Sequence, residues 1–169
     1  MTDISKVMVG SIDTAYVVKV VGRGTMEYCS DLFEYLSMKV TNEQVENVYF
    51  ELSEATYLDS SFIGVIVSIQ KKIQKLRGTD VMILNPSEKV KEILNTMGLI
   101  EILPIQENNT LKNLEITKEI EQKLEKKYKD IRILLESHQN LMEINSENKK
   151  RFSLVEEMLK KELERQQNE

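Results

Sequence analysis

Tyr49-Phe50-Glu51-Leu52-Ser53-Glu54-Ala55-Thr56-Tyr57-Leu58-Asp59-Ser60-Ser61-Phe62-Ile63-Gly64-Val65 carries the chain from an apolar strand into an apolar helix. Residues 48–52 read as a buried strand and 62–76 as a helix. Between them Asp59-Ser60-Ser61 places an acid and two hydroxyls where a helix begins, which suits N-capping. The same place sets a hydroxyl beside free backbone N–H groups, where the helix dipole favours added negative charge. Two readings stand side by side: a structural cap and a phosphorylation site.

The helix has two faces. Phe62, Ile66, Ile69, Ile73 and Leu76 step by 4, 3, 4 and 3, an unbroken core stripe. On a helical wheel Ser60, Gly64, Val67 and Lys71 fall together roughly opposite it, with Ile63 between the two sets. This flank is expected to be small, partly apolar and exposed. Gly64 weakens the helix by about 1 kcal/mol relative to Ala. Close approach by a neighbour would offset that, whether a partner or another helix of the same domain.

Outward from this point, strands and helices alternate. Residues 6–10 and 15–21 form a hairpin around a polar turn, and Gly22-Arg23-Gly24 reads as the turn after its second strand. Cys29, Leu32, Phe33, Leu36 and Val40 recur at helical spacing. After the central strand and helix come a short strand at 81–84 and a helix opening at Asn85-Pro86-Ser87-Glu88, with Asn85 as expected N-cap. Val90, Ile93, Leu94 and Met97 line that helix, Gly98 stops it, and 100–105 reads as a last strand. The order β-β-α-β-α-β-α-β predicts an α/β domain with a largely parallel sheet and right-handed crossovers.

Gly and Pro disappear after Pro104, which divides the chain into a compact domain, 1–109, and a helical tail, 110–169. Leu124, Tyr128, Ile131, Leu135, His138 and Met142 keep the spacing of a coiled-coil seam. The frame meets Asn145 and Lys149 before recovering at Phe152, Leu159 and Leu163. Glu119–Lys123, Glu125–Lys129, Glu147–Arg151, Glu156–Lys160 and Glu157–Lys161 add i,i+4 pairs. Two architectures fit. One is a single helix of roughly 50 residues, about 75 Å long, that forms a homodimer through residues 111–165. The other is a helical hairpin turning near 145–148.

Of the 169 residues, 23 are basic and 28 acidic, and the tail is balanced, so the net charge of −5 sits in 1–109. An acidic domain argues against direct nucleic-acid binding, which needs clustered Lys and Arg. The single cysteine, Cys29, excludes an internal disulfide and fits a reducing compartment. No apolar run is long enough to span a bilayer and no basic leader follows Met1, so a cytoplasmic protein is expected. His138 and Cys29 lie too far apart in sequence to suggest a metal site, and no cofactor motif occurs. No nucleophile elbow is present, and His138 in the tail lends no local support to a Ser/His/acid triad. A catalytic role has little to rest on.

The opening stretch resembles the core motif of STAS domains, bacterial anti-sigma-factor antagonists whose strand leads through an acidic-Ser-Ser/Thr turn into a helix. Val20-Val21-Gly22-Arg23-Gly24 resembles their second-strand turn, and Asn95-Thr96-Met97-Gly98-Leu99-Ile100 the turn before their last strand. The element order matches along about 5–108. Phe62 stands where the family often has Gly, and Thr25 near a place that is often acidic. The resemblance implies a binding module regulated by phosphorylation: an ATP-using anti-sigma-factor serine kinase modifies Ser60, and a serine phosphatase resets it. The unmodified protein binds the kinase and so frees a sigma factor. Asp59 and Ser61 then flank the phosphoacceptor, while Gly64 and Val67 belong to the docking face. The other reading is a non-catalytic signalling scaffold that oligomerises through its C-terminal coiled coil, with Ser60 only a cap.

Overall fold

The hairpin expected at the start of the chain forms from β1 (Lys6–Ile12) and β2 (Ala15–Gly24). Ile12 pairs with Ala15, leaving Asp13-Thr14 as the loop. Asp13 adopts φ 50° there, the left-handed conformation such tight turns demand. A 3-10 turn, Met26–Tyr28, leads into α1 (Cys29–Asn42), followed by β3 (Asn47–Leu58) and α2 (Ser60–Arg77). Gly78 ends α2 at φ 71°. The chain continues through β4 (Met82–Leu84), α3 (Glu88–Thr96), β5 (Ile105–Gln106), β6 (Glu115–Ile120), α4 (Tyr128–Met142) and α5 (Ser146–Gln167). This computed structural model describes residues 4–123 and 127–169. Leu124 of the expected seam and the Glu125–Lys129 pair lie wholly or partly outside the described residues.

The six strands form one sheet in the order β5-β4-β3-β2-β1-β6. Pairings from β2 through β5 are parallel, and those of β1 with β2 and β6 antiparallel. Val9, Val18, Phe50 and Ile83 are consecutive cross-strand neighbours, all fully buried. Phe50 meets Phe62 of α2 edge-on, with ring centroids 6.5 Å apart. Leu32, Leu36 and Val40 of α1 and Ile66, Ile69 and Ile73 of α2 complete the core. The α/β architecture and the helical extension are as the sequence implies.

Several local expectations change. Gly22-Arg23-Gly24 is the end of β2, paired with β3, rather than a turn after it, and Leu76 is exposed rather than part of the core stripe. Asn85 does not cap α3: its φ is 51°, whereas an N-cap needs extended backbone. Its amide instead brackets the chain beyond β5, donating to the Asn109 carbonyl at 2.7 Å and accepting the Asn109 N–H at 2.9 Å. Ser87, at φ −63° and ψ 160°, takes the cap. The strand expected at 100–105 contracts to β5, because Leu99–Leu103 closes in turn hydrogen bonds. The tail is not helical from 110. Residues 115–120 become β6, and Glu119–Lys123 is no helical pair; Lys123 reaches Asp31 at 3.0 Å instead. The outer edge of β1 offers unpaired backbone groups that a strand satisfies, and β-branched Ile116, Thr117 and Ile120 suit that role. Gly10 admits the strand, since a Cβ there would lie 2.6 Å from the Glu115 carbonyl oxygen.

Beyond 127 the hairpin alternative is the one observed. Asn145 caps α5 by accepting the Asn148 N–H at 2.8 Å, so the polar break in the seam is the turn. α5 runs back along α4, with His138 edge-on to Phe152 at 5.5 Å and Gln139 donating to Glu156 at 3.1 Å. α4 lies on α2, and Ile131, His138, Leu141 and Phe152 are buried. Of the seam that argued for a dimer, Ile131, His138 and Phe152 are thus buried within one chain, Leu135, Met142, Leu159 and Leu163 are half-buried, and Tyr128 stays exposed. Among the described residues no helix is long and apolar enough to cross a membrane.

Candidate functional site

Asp59 builds the start of α2. Its Oδ1 accepts the Phe62 N–H at 2.9 Å and its Oδ2 the Met26 N–H at 2.9 Å, while its own N–H donates to the Gly24 carbonyl at 3.0 Å. One residue therefore ties the end of β2, through its backbone, and the 3-10 turn, through its side chain, to the first turn of α2. Burial raises the Asp59 pKa above its usual 3.8, and the two backbone N–H groups hold it back. Gly24 leaves room for the core here, since a Cβ would lie 2.7 Å from Leu58 Cδ2 and 3.1 Å from the Phe62 ring and both would have to give way. Phe62, the departure from the family pattern, thereby fills the core without disturbing the cap. The Thr25 hydroxyl donates to Glu27, two residues on.

Ser60 follows as the first helical residue and is half-buried. Its Oγ lies 3.0 Å from His138 Nε2 of α4, although the two residues are 78 positions apart. His138 Nδ1 lies 2.8 Å from the Leu134 carbonyl oxygen, which can only accept. In the neutral ring the proton therefore sits on Nδ1, and Nε2 accepts from the Ser60 hydroxyl. Burial lowers the His138 pKa below 6.5, opposed by the Leu134 carbonyl and Asp59, so the neutral ring is favoured. Beside the pair opens a cleft of about 530 Å³ walled by Met26, Leu134, Val155 and Met158.

The other expected site residues lie close by, but not in the expected setting. Ser61, Gly64 and Val67 are all buried. A Cβ on Gly64 would be 2.7 Å from both the Cβ and the carbonyl oxygen of Ser137. The close neighbour anticipated for this glycine is α4 of the same chain. One turn on, the Ser68 hydroxyl accepts from Asn140 Nδ2 at 2.8 Å. Lys71 Nζ donates to Asn140 Oδ1 at 2.8 Å and pairs with Glu143. The flank expected to face solvent is therefore buried from Ser61 to Ser68, with Ser60 half-buried at one end and Lys71 exposed at the other. Periodicity distinguished it from the core stripe, but could not show that the seam of the tail would lie on it. His138 and Asn140 were missed as site residues; His138 signals itself as the polar member of an apolar seam, while Asn140 lies off that spacing and carries no such signal.

Comparison with known proteins identifies the family of the domain that carries these residues. The STAS domain family matches residues 6–111. An anti-sigma F factor antagonist of Paenibacillus polymyxa is 30% identical over 79 residues, covering 46% of this chain and 67% of that protein. Among solved structures, the anti-sigma factor antagonist SpoIIAA in its unphosphorylated form superposes with a TM-score of 0.53 at 12% identity, over 61% of this chain and 89% of that one. An anti-sigma factor antagonist from Mycobacterium paratuberculosis gives 0.52 at 19% identity, over 62% and 87%. The structural likenesses concern the fold. The chain belongs to the STAS domain family. The matched stretch ends before β6, so every residue that covers the α2 flank from α4 lies outside it.

Proposed function

We propose that the chain is an anti-sigma-factor antagonist that docks an anti-sigma serine kinase through the α2 flank, and that Ser60 is its phosphoacceptor. The observation that carries this reading is the position of Ser60. Its hydroxyl stands at the first turn of an eighteen-residue helix, behind the Asp59 cap, on the same flank as Gly64 and Val67. A phosphoryl group adds about −1.5 to −2 charges at that point. Beside Asp59, on a domain already net negative, the added charge opposes a partner matched to a neutral hydroxyl. Family membership and the Paenibacillus polymyxa relative support the same role. A serine phosphatase reverses the modification. A purely scaffolding role loses its main support, because the seam it relies on is occupied within the chain.

The test is intact-mass measurement after incubation with a cognate anti-sigma kinase and ATP. Wild type gains one phosphoryl mass and Ser60→Ala gains none while still binding the kinase; Ser60→Asp binds more weakly. Labelling of Ser60→Ala at the wild-type level would move the site to Ser61 or Thr56.

A further inference from the structure

The α2–α4 contact has the chemistry of a separable interface rather than of a core. Among the described residues eight polar side chains are buried, and five of them, Ser68, Ser137, His138, Asn140 and Asn148, lie where the hairpin meets the rest of the fold or turns upon itself. The other three, Glu51, Ser61 and Gln70, lie on β3 and α2 beside a core of aliphatic and aromatic side chains. Two of those five keep an atom, Ser137 Oγ and Asn148 Oδ1, with no hydrogen-bond partner among the described residues. Buried polar atoms left unpaired weaken a contact, so the hairpin is held less firmly than its buried area suggests. The contact is nonetheless specific: Ser137 fits Gly64, Asn140 bridges Ser68 and Lys71, Glu143 meets Lys71, and His138 takes the Ser60 hydroxyl.

We propose that the Ser60–Lys71 flank of α2 is a helix-binding face, that α4 is its resident ligand, and that a protein partner gains access by presenting a helix of the same chemistry in its place. The chemistry is written by α4. It comprises a small residue against Gly64, a carboxamide three positions on, and a carboxylate three further on, all on one helix face, with a hydrogen-bond acceptor for Ser60 beside the small residue. Access to Ser60 is then coupled to displacement of α4. This inference rests on Ser60 as a regulated docking site, but its test needs no kinase.

A labelled peptide spanning residues 127–167 is titrated into the full-length chain. Wild type, whose face is filled, is expected to bind it at least about tenfold more weakly than Ser137→Arg, whose side chain no longer fits against Gly64. Glu143→Arg, which sets like charge against Lys71, is the second opening variant should Ser137→Arg fail to fold. Gly64→Leu added to the opened chain removes binding. Equal binding to wild type and both opened chains, no binding to either opened chain, or binding that survives Gly64→Leu overturns the proposal. A chain that binds the peptide through Gly64 yet never takes phosphate keeps this face and refutes the proposed function. A chain phosphorylated at Ser60 that shows no such binding does the reverse.

Discussion

Gly98 and Asn145 meet so closely that a Cβ at position 98 would lie 2.7 Å from Asn145 Nδ2. Gly98 ends α3 in the left-handed region, at φ 78°, and Asn145 is the turn between α4 and α5. The turn before the last parallel strand is thus also an anchor for the hairpin. Asn148 strengthens it, donating to the Met97 carbonyl at 2.9 Å and the Leu141 carbonyl at 3.0 Å. Gly98→Ala meets both a strained backbone and an occupied space. It should lower unfolding free energy by about 1–3 kcal/mol, read from urea denaturation, and speed amide exchange in α4 and α5. Unchanged exchange in the hairpin would show that the anchor is not at Gly98.

The two faces of α2 should respond differently to substitution. Ile66→Ala opens a cavity in the core and should cost about 2–5 kcal/mol. Gly64→Leu overpacks the contact with Ser137 and should cost about 1–3 kcal/mol. Hydrogen exchange separates them further: Ile66→Ala should loosen the sheet as well as α2, and Gly64→Leu chiefly α4 and α5. Sheet amides that exchange equally fast in both variants would mean that head and hairpin unfold as one unit.

Much of the head could be read from single residues because local and tertiary demands agree there. Asp59 caps α2 in the sequence pattern and in the fold, and the stripe at Phe62, Ile66, Ile69 and Ile73 is the core face. Where the two demands part, the reading fails. Asn85 has an N-cap's chemistry, but its side chain is claimed by Asn109, so Ser87 takes over. Residues 115–120 are charged enough to pass for helix, but the open edge of β1 draws them into the sheet. The Ser60–His138 pair joins segments 78 residues apart, and no local spacing encodes such a meeting. The apolar seam was legible; which surface would cover it was not.

With the centre of that seam, Ile131, His138 and Phe152, buried between the helices, most of the driving force for a coiled-coil dimer is used within the chain. Sedimentation velocity should give a compact monomer across micromolar concentrations. Ser137→Arg should sediment more slowly per unit mass or begin to self-associate, because Ile131, Leu141 and Phe152 lose their cover. A wild-type dimer that persists on dilution would show that the hairpin is exchanged between copies.

Acid should weaken the closed form through His138. Burial lowers its pKa in the folded chain below the 6.5 of a free imidazole, so the unfolded chain binds that proton more readily. Stability from this group is complete above about pH 6.5 and is lost as pH falls from there toward the folded pKa. Asp59 acts in a lower window and with opposite sign. Its folded pKa is raised above 3.8, so its contribution declines as pH rises through the range just above that value. Urea midpoints measured from about pH 7.5 to about pH 5.5 should therefore fall for wild type. They should fall less for His138→Gln, whose carbonyl still accepts from Ser60 but does not titrate. Parallel pH profiles for the two chains would mean that the ring is solvated in the folded protein, and the hydrogen bond from Ser60 to its Nε2 would then not hold α4 on the flank.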